Sequence, residues 1–354
     1  MHFLQEKIAM RITINGKVIE TEEGPTILRI AQMNGVRIPT LCHMEGLIPT
    51  GMCRMCVVEV QGLENPVTAC NTRATDGMVI ETDTPKMREL RKEVLQFLLV
   101  RHPVECPVCD KGGECDLQDY VYEYGLQKAE YQVDAPIKEY KTYATTAIKY
   151  HPNRCILCSR CIRACREIVG REVLDLQETG FNTRVEAVRP ERCIQCGECL
   201  AACPVGALTE NLSPIKGRTW QAKRVTTVCG YCGVGCTLEA NTVGNRMIKV
   251  TTHEGLGTNN GSLCVKGRFG FEFVNSPERL RTPLITENGN LREASWEEAL
   301  THVSGKLKEI KEKHGPDSIA GLASARVTCE ENYVFQKLIR AAIGTNNVDH
   351  CARL

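Results

Sequence analysis

Two short runs near the start of the chain alternate apolar and polar residues with a period of two. They fill Arg11–Glu20 and flank Asn15-Gly16, a dipeptide that favours a tight hairpin turn. Helical apolar spacing follows over Thr26–Asn34. The pattern therefore predicts a small β-rich domain over residues 1–84 that contains one hairpin and one short helix.

Two longer segments have the apolar spacing of amphipathic helices. The first begins at Thr84-Pro85 and runs to about Val100, and the side chains predicted to share its apolar face are Met87, Leu90, Val94 and Phe97. The second begins at a capping box over Ser295–Glu298 and ends at Gly315-Pro316. Its predicted apolar face consists of Trp296, Ala299, Leu300, Val303, Leu307 and Ile310.

The last part of the chain alternates strand and helix patterns. Ser318–Leu322 has the composition of a buried strand, and a capping box over Thr328–Glu331 opens a helix that reaches Gly344. This alternation is typical of the start of an α/β domain, which we place at residues 278–354.

The most informative feature of the composition is its cysteines. The 354 residues carry a net charge of +1 with both signs interspersed, so we expect no nucleic-acid partner. No apolar run approaches the ~20 residues of a membrane helix, and no signal peptide is apparent. The 21 cysteines fall almost entirely in short runs, which favours metal-bound thiolates in a reducing cytoplasm over disulfides.

Two cysteine runs between residues 141 and 212 share the spacing C-x2-C-x2-C-x3-C. In such pairs the fourth cysteine of each run ligates the other cluster. We therefore expect one 4Fe–4S centre on Cys155, Cys158, Cys161 and Cys203, and another on Cys193, Cys196, Cys199 and Cys165. The runs resemble two-cluster bacterial ferredoxins, except that Arg166 stands where the first run usually carries Pro. A pair of zinc sites is the alternative, although zinc usually takes two separated pairs of thiolates.

The first set of cysteines along the chain lies in the β-rich domain and has the spacing C-x10-C-x2-C-x13-C. Its members are Cys42, Cys53, Cys56 and Cys70. The set resembles the 2Fe–2S domain at the front of the complex I large iron–sulfur subunit and of NAD-linked formate dehydrogenases and hydrogenases. That resemblance implies a β-grasp-like ferredoxin fold. His43 is an alternative, Rieske-type ligand, but four cysteines already suffice.

A histidine completes the next set, in a domain that we place at residues 85–140. The pattern H-x3-C-x2-C-x5-C comprises His102, Cys106, Cys109 and Cys115. It resembles the His-ligated 4Fe–4S motif of the same families, which implies that His102 is a ligand. The alternative is a structural histidine. The Tyr- and Lys-rich residues 120–150 are expected to form a surface connector, and 208–222 a linker.

The last set, over residues 222–277, has a distant fourth member. The pattern C-x2-C-x3-C-x27-C-x-K-G contains Cys229, Cys232, Cys236, Cys264 and Lys266. It resembles the 4Fe–4S domain of molybdenum or tungsten bis-pterin oxidoreductases, most closely formate dehydrogenases. The resemblance implies that Lys266 bridges cluster and pterin as an electron relay, whereas its alternative role is that of a solvated charge.

Together the resemblances imply an α+β multi-domain protein with one 2Fe–2S and four 4Fe–4S clusters. They imply the electron-transfer half of a formate dehydrogenase whose full-length form carries a molybdenum or tungsten bis(molybdopterin guanine dinucleotide). The implied partner is a flavin- and NAD-binding iron–sulfur subunit or a ferredoxin, with a hydrogenase module as a further candidate. The alternatives are a complex I-like subunit without pterin, an iron-only hydrogenase and a zinc-stabilised scaffold.

The final residues, Cys351-Ala352-Arg353-Leu354, resemble the segment that precedes the catalytic metal ligand of formate dehydrogenases. That ligand is cysteine in some members and selenocysteine, encoded by UGA, in others. We therefore expect the chain to be truncated before a selenocysteine. In that case the 354 residues would bind iron without oxidising formate.

Overall fold

Strands and helices are mixed throughout the computed structural model, which describes residues 9–131, 145–212 and 217–351. The described residues form two compact units. One comprises the residues up to Lys223 together with Ser262–Phe269, and the other comprises Arg224–Gly261 and the residues from Gly270 onward. None of the helices in these ranges has the length and apolar character needed to cross a membrane.

The first unit begins with a five-stranded sheet in the order β2-β1-β5-β3-β4. Its elements are β1 Ala9–Ile14, β2 Lys17–Glu22, α1 Ile27–Met33, β3 Val57–Val60, β4 Val67–Thr68 and β5 Val79–Glu81. The predicted hairpin is confirmed, since β1 and β2 pair antiparallel. Asn15 and Gly16 both have positive φ, 50° and 77°, as a type I′ turn requires.

Helix α2, Pro85–Leu99, follows the sheet and begins where the sequence predicts. The Thr84 hydroxyl accepts a hydrogen bond from the Met87 N–H and caps the helix. The predicted apolar face is wrong in part, because Phe97 is 66 % exposed and stacks on Tyr131. The buried stripe instead repeats every fourth residue and includes an arginine: Met87, Arg91, Leu95 and Leu99.

Arg91 explains why the buried stripe lies where it does. Its side chain is almost fully buried and donates to three backbone carbonyls: Met55 at 3.1 Å, Val57 at 2.8 Å and Thr82 at 2.6 Å. The hydrogen bonds to these carbonyls offset the free-energy cost of burying the charged guanidinium. These bonds hold α2 against the loop that carries two cysteines of the first set.

The cysteine-rich part of the first unit contains short elements between long loops. They are α3 Asp116–Glu123, β6 Ile148–Tyr150, α4 Arg160–Arg163, β7 Leu174–Gln177, β8 Arg184–Ala187, α5 Glu198–Ala202 and β9 Leu208–Glu210. β6 pairs antiparallel with β9, and β7 with β8. The predicted linker therefore begins later than expected, since its first residues form β9. Residues 132–144 of the predicted connector lie outside the described ranges.

The second unit contains a three-stranded sheet and the beginning of an α/β arrangement. The elements from here on in chain order are β10 Lys223–Val228, β11 Thr237–Val243, β12 Arg246–Thr251, α6 Val265–Phe269, α7 Glu272–Asn275, β13 Leu284–Glu287, β14 Asn290–Glu293, α8 Trp296–His314, β15 Gly321–Ala323, α9 Cys329–Lys337 and β16 Val348–His350. Of these, α6 belongs to the first unit. β15 and β16 pair in parallel, which is the pairing that strand–helix–strand alternation predicts.

The caps of α8 and α9 differ. The Thr328 capping box is complete, because Glu331 also bonds back to the Thr328 N–H. At α8 only the Ser295 half is present, because Arg292 holds the Glu298 carboxylate. The predicted buried strand is wrong in part: it begins at Gly321, and Leu322 is 81 % exposed. The predicted terminal segment 352–354 lies outside the described residues.

Candidate metal centres

The four cysteines of the first set form one contact group. The Cys42 N–H donates to the Cys53 Sγ at 3.3 Å, and the Cys53 N–H donates back to the Cys42 Sγ at 3.5 Å. Hydrogen bonds between thiols also join Cys42 to Cys70 and Cys56 to Cys70. These contacts lower the pKa of Cys42 and Cys56 and raise the pKa of Cys53 and Cys70.

This contact group suits a two-iron cluster. Three of its thiols are buried, and all 21 cysteines of the chain are free of disulfides. A 2Fe–2S cluster is usually held by four cysteine thiolates, and hydrogen bonds to the sulfurs help to set its reduction potential. The donor set and its surroundings therefore agree with the 2Fe–2S cluster that the sequence predicts.

His43 lies beside this group in an unusual environment. Both of its ring nitrogens are buried and have no hydrogen-bond partner. Burial is the largest cause that lowers the pKa of His43, and Arg160 and Arg163 add to it. Because a neutral, unpartnered imidazole is also the form that binds a metal, the role of His43 outside the ligand set stays a prediction.

The second set lines a single small cavity. His102, Cys106, Cys109 and Cys115 all contribute to its wall. The His102 Nδ1 is buried without a hydrogen-bond partner, and burial lowers the pKa of this histidine, with Arg154 adding to the effect. A buried, neutral imidazole with an unpartnered nitrogen is the form that binds a metal. The residues thus suit a His-ligated 4Fe–4S cluster.

Two backbone features shape this cavity. Cys115 is the residue before α3, and the N–H groups of Leu117 and Gln118 bond to its sulfur. Burial nevertheless raises the pKa of Cys115 to about 11. On the opposite wall, Gly206 leaves the space that the Cys109 thiol fills, because a Cβ there would lie 2.3 Å from the Cys109 Sγ.

The twin cysteine runs have matching backbones. Each begins after a 3₁₀ turn, Pro152–Arg154 or Pro190–Arg192. Each then has two residues with positive φ: Leu157 and Ser159 in the first run, Gln195 and Gly197 in the second. The repeated spacing therefore folds into a repeated loop. This loop carries the first two cysteines of each run, and the short helix α4 or α5 that follows carries the third.

The fourth cysteine of each run lies with the other run. The Cys203 thiol acts electrostatically on Cys155, Cys158 and Cys161. The other four, Cys165, Cys193, Cys196 and Cys199, line one cavity together. These two groups have the membership that crossed ligation predicts. In both, burial is the largest cause raising thiol pKa values, for example that of Cys158 to about 12.

Arg166, where the first run departs from the family pattern, has a local explanation. The chain continues helically past Cys165, and the Val169 N–H bonds to the Ala164 carbonyl at 3.1 Å. The Cys165 sulfur then accepts the Val173 N–H at 3.4 Å. In the second run, Pro204 follows Cys203 after the helix has ended.

The last set is divided between the two units. Cys229, Cys232 and Cys236 lie in the loop between β10 and β11, where the Cys229 N–H donates to the Cys236 carbonyl at 2.8 Å. Cys264 precedes α6 in the first unit and, like Lys266 within that helix, is exposed. Ligation by these four cysteines remains a prediction. Across the described residues, no three His, Cys, Asp or Glu side chains converge closely enough to hold one single metal ion. The ligands of a cubane each bind a different iron atom and therefore lie farther apart.

Two arginines of α4 were not singled out from the sequence. Arg163 is buried and donates to the backbone carbonyls of Ile48, at 2.7 Å, and Cys42. Arg160 lies 3.3 Å from the carboxylate of Asp116, the residue after Cys115. Arg160 and Arg163 therefore connect the first cysteine run, to which they belong, with the loop of Cys42 and the loop of Cys115. In the sequence, the only signal for this role is their position between cysteines.

Family models match almost every segment of the chain. The 2Fe–2S iron–sulfur cluster binding domain covers residues 8–85, the NADH-ubiquinone oxidoreductase-G iron–sulfur binding region 91–130, and the 4Fe–4S dicluster domain 154–207. The molybdopterin oxidoreductase Fe4S4 domain covers 222–276, and molybdopterin oxidoreductase 279–354.

One solved structure resembles more than half of this chain in its fold. A chain in the crystal structure of the NAD⁺-reducing [NiFe]-hydrogenase in the H2-reduced state is 30 % identical, with a TM-score of 0.52. The match covers 57 % of this chain and 87 % of that one. The chain therefore combines iron–sulfur cluster binding domains with segments that match molybdopterin oxidoreductases.

Proteins similar to this chain are named for different activities. The NADPH-Fe(3+) oxidoreductase subunit alpha of Geobacter sulfurreducens is 41 % identical, and an NADH-quinone oxidoreductase subunit of Rhizobium meliloti is 40 % identical. The Bacillus subtilis protein YrhE, provisionally named a formate dehydrogenase, is 35 % identical. Each match covers 97–98 % of this chain, but the chain spans only 40 % of the length of each relative.

The unpartnered His102 nitrogen leads to a first prediction. His102→Cys should keep a cubane but lower its midpoint potential, because a thiolate adds one negative charge to the cluster. Redox-titrated EPR of the two forms measures the shift. The control is His151→Gln, which removes a nearby imidazole whose Nε2 lies 3.2 Å from the Thr209 hydroxyl. Identical potentials in all three proteins would show that His102 is not a ligand.

Proposed function

We propose that this chain is the electron-transfer portion of a formate dehydrogenase-type oxidoreductase. It would connect a molybdenum or tungsten bis-pterin site, where formate and CO2 interconvert, to a flavin- and NAD-binding iron–sulfur subunit or a ferredoxin in the cytoplasm. The clusters supply one-electron chemistry, and the protein supplies their positions and potentials.

One observation carries this proposal: cluster-binding groups and a molybdopterin segment occur on the same chain. Four of the five predicted ligand groups, including that of His102, lie in the first unit, and the molybdopterin family match begins within the second. In the proposal, Cys264 and Lys266 belong to the cluster nearest the pterin, where the ammonium of Lys266 is the electron relay.

The residues after β15 suit part of a cofactor cradle. A groove lies at the carboxyl ends of the parallel strands β15 and β16, and its lining includes Ser324, Asn332, Gln336 and Asp349. Ligands of open α/β sheets bind at this edge, and these side chains offer both donors and acceptors. The groove agrees with binding of a polar cofactor such as a pterin nucleotide.

A second function has support of its own: a pterin-free electron-transfer subunit. The Rhizobium meliloti relative is named for NADH-quinone oxidoreductase, and the structural match belongs to an NAD⁺-reducing hydrogenase. Neither name refers to formate. In this function the second unit would be a structural domain beside the clusters.

Metal analysis of the complete gene product, purified anaerobically, separates these functions. The proposal predicts about 18 iron atoms per chain, two from the 2Fe–2S cluster and four from each of four cubanes. It also predicts molybdenum or tungsten near one atom per chain, and reduction of a viologen dye by formate.

Three results would contradict the proposal. Full iron without molybdenum or tungsten would establish the pterin-free function. A metal-loaded protein that reduces dye with another substrate but not with formate would exclude the formate assignment. Zinc in place of iron, without visible absorption that bleaches with dithionite, would show an interaction scaffold.

A further inference from the structure

A buried ion pair attaches the Cys264 segment to the second cysteine run. Arg268 and Glu198 are 3 % and 5 % exposed, and the Arg268 Nη2 lies 2.6 Å from the Glu198 Oε1. The same carboxylate oxygen accepts the Leu263 N–H at 3.1 Å. Arg268 Nε also donates to the Cys196 carbonyl at 3.0 Å. Residues on both sides of Cys264 are therefore held by the loop of Cys193, Cys196 and Cys199.

Packing around the pair leaves little freedom. Gly197 has φ +82°, and a Cβ there would lie 2.4 Å from the Arg268 Cδ and 2.8 Å from the Phe269 Cζ. Phe269 is itself buried in the core of the first unit. Only a glycine lets the Arg268 stem and the Phe269 ring approach the loop so closely.

Stability alone does not account for this pair. Desolvation offsets most of the attraction in a buried ion pair, and apolar side chains of similar volume hold two segments together at least as well. The charges lie in a specific place, however, since Glu198 stands between Cys196 and Cys199 in the sequence. Both charges lie beside a predicted ligand, because Arg268 bonds to the Cys196 carbonyl and Glu198 is two residues from Cys196.

We propose that Glu198 and Arg268 form a positioning pair for electron transfer: they hold the Cys264 segment beside the cubane of Cys165, Cys193, Cys196 and Cys199, and their charges set that cubane's reduction potential. The proposal rests on the cluster assignments of the proposed function. One electron passes between this cubane and the one that Cys264 ligates, and no bond forms or breaks.

Three variants separate charge from geometry. Arg268→Met keeps an apolar stem over Gly197 but removes the positive charge, so the cubane's midpoint potential should fall. Glu198→Gln keeps an oxygen acceptor for the Leu263 N–H but removes the negative charge, so the potential should rise. Arg268→Lys keeps the charge but loses the planar guanidinium that bonds two partners at once, so the potential should stay nearer the wild-type value.

The measurements are redox-titrated EPR and total iron on the full chain with its clusters. Besides the potential shifts, Arg268→Met and Arg268→Lys should weaken the spin–spin splitting between neighbouring reduced cubanes, because the Cys264 segment is no longer held. The matched control is Arg189→Met, which removes an arginine from an exposed pair with Glu172 in the same region. This control should change neither the potential nor the splitting.

Opposite potential shifts in Arg268→Met and Glu198→Gln would support the proposal, since a purely structural clamp gives no such sign reversal. Shifts in the same direction, or none with iron intact, would overturn it. If Arg268→Met loses iron, Glu198→Gln decides alone: a raised midpoint potential supports the proposal, and an unchanged or lowered one overturns it. A separate variant, Cys264→Ala, tests the underlying assignment: unchanged iron and EPR would refute a cubane at Cys264, whatever the ion-pair variants show.

Discussion

Cys203→Ala should remove the cubane of the other cysteine run, the one assigned to Cys155, Cys158 and Cys161. The structure groups the Cys203 thiol with those three, each of which it affects electrostatically. A cubane that loses one of four thiolates in a buried site is left with an open iron and is lost. We expect a decrease of about four iron atoms per chain. Iron analysis and the EPR spectrum of the reduced protein measure it.

Two further variants make this result specific. Cys165→Ala should remove the cubane of Cys193, Cys196 and Cys199 instead, so the two variants lose different EPR signals. Cys329→Ala is the matched control, because Cys329 is exposed and belongs to no ligand run. If Cys203→Ala removed the signal that Cys165→Ala also removes, and left the other intact, ligation would not be crossed.

Gly206→Ala should disrupt the His-ligated site although the substitution adds only one methyl group. The new Cβ would lie 2.3 Å from the Cys109 Sγ, 3.3 Å from the Lys111 Cβ and 3.5 Å from the Arg154 Cδ. If the Cys109 sulfur ligates a cluster, its side chain cannot rotate away from the added methyl group. Overpacking of this kind costs about 1–3 kcal/mol, and here the displaced atom is a predicted ligand. We expect loss of that cubane, about four iron atoms per chain, and a lower free energy of unfolding.

The control for this substitution is Gly305→Ala in helix α8. Nothing lies within 4 Å of a Cβ at Gly305, and alanine in a helix is more stable than glycine by roughly 0.5–1 kcal/mol. Iron content should be unchanged there. Iron analysis with thermal unfolding followed by circular dichroism measures both variants. A Gly206→Ala protein with full iron and unaltered His-cluster potential would show that the Cys109 thiol is not fixed at this wall.

Local sequence was sufficient for features that depend on neighbouring residues. The Asn15-Gly16 hairpin and the caps at Thr84 and Thr328 follow from backbone preferences that act over four residues or fewer. The repeated cysteine spacing likewise predicts a repeated loop. Crossed ligation of the two cubanes, which follows from the same two short motifs, stays a prediction.

Contacts between distant residues needed the tertiary structure. The α2 face was misjudged because Leu90 and Phe97 are apolar, whereas the carbonyls of Met55, Val57 and Thr82 decide that Arg91 is buried. Hydropathy cannot show that a charged side chain will find three acceptors elsewhere in the chain.

The sequence by itself determined the types of candidate ligand, their spacing and the short turns that present them, because these depend on covalent connectivity and local backbone energy. The tertiary structure decided what surrounds the ligands: the Arg268–Glu198 pair, the Gly206 wall and the arginines of α4. Each of these features joins residues that are far apart in the chain. No periodicity or composition around those residues indicates that they will meet. Their roles arise only when folding removes water between them, since charges and close contacts gain their effect in a packed interior.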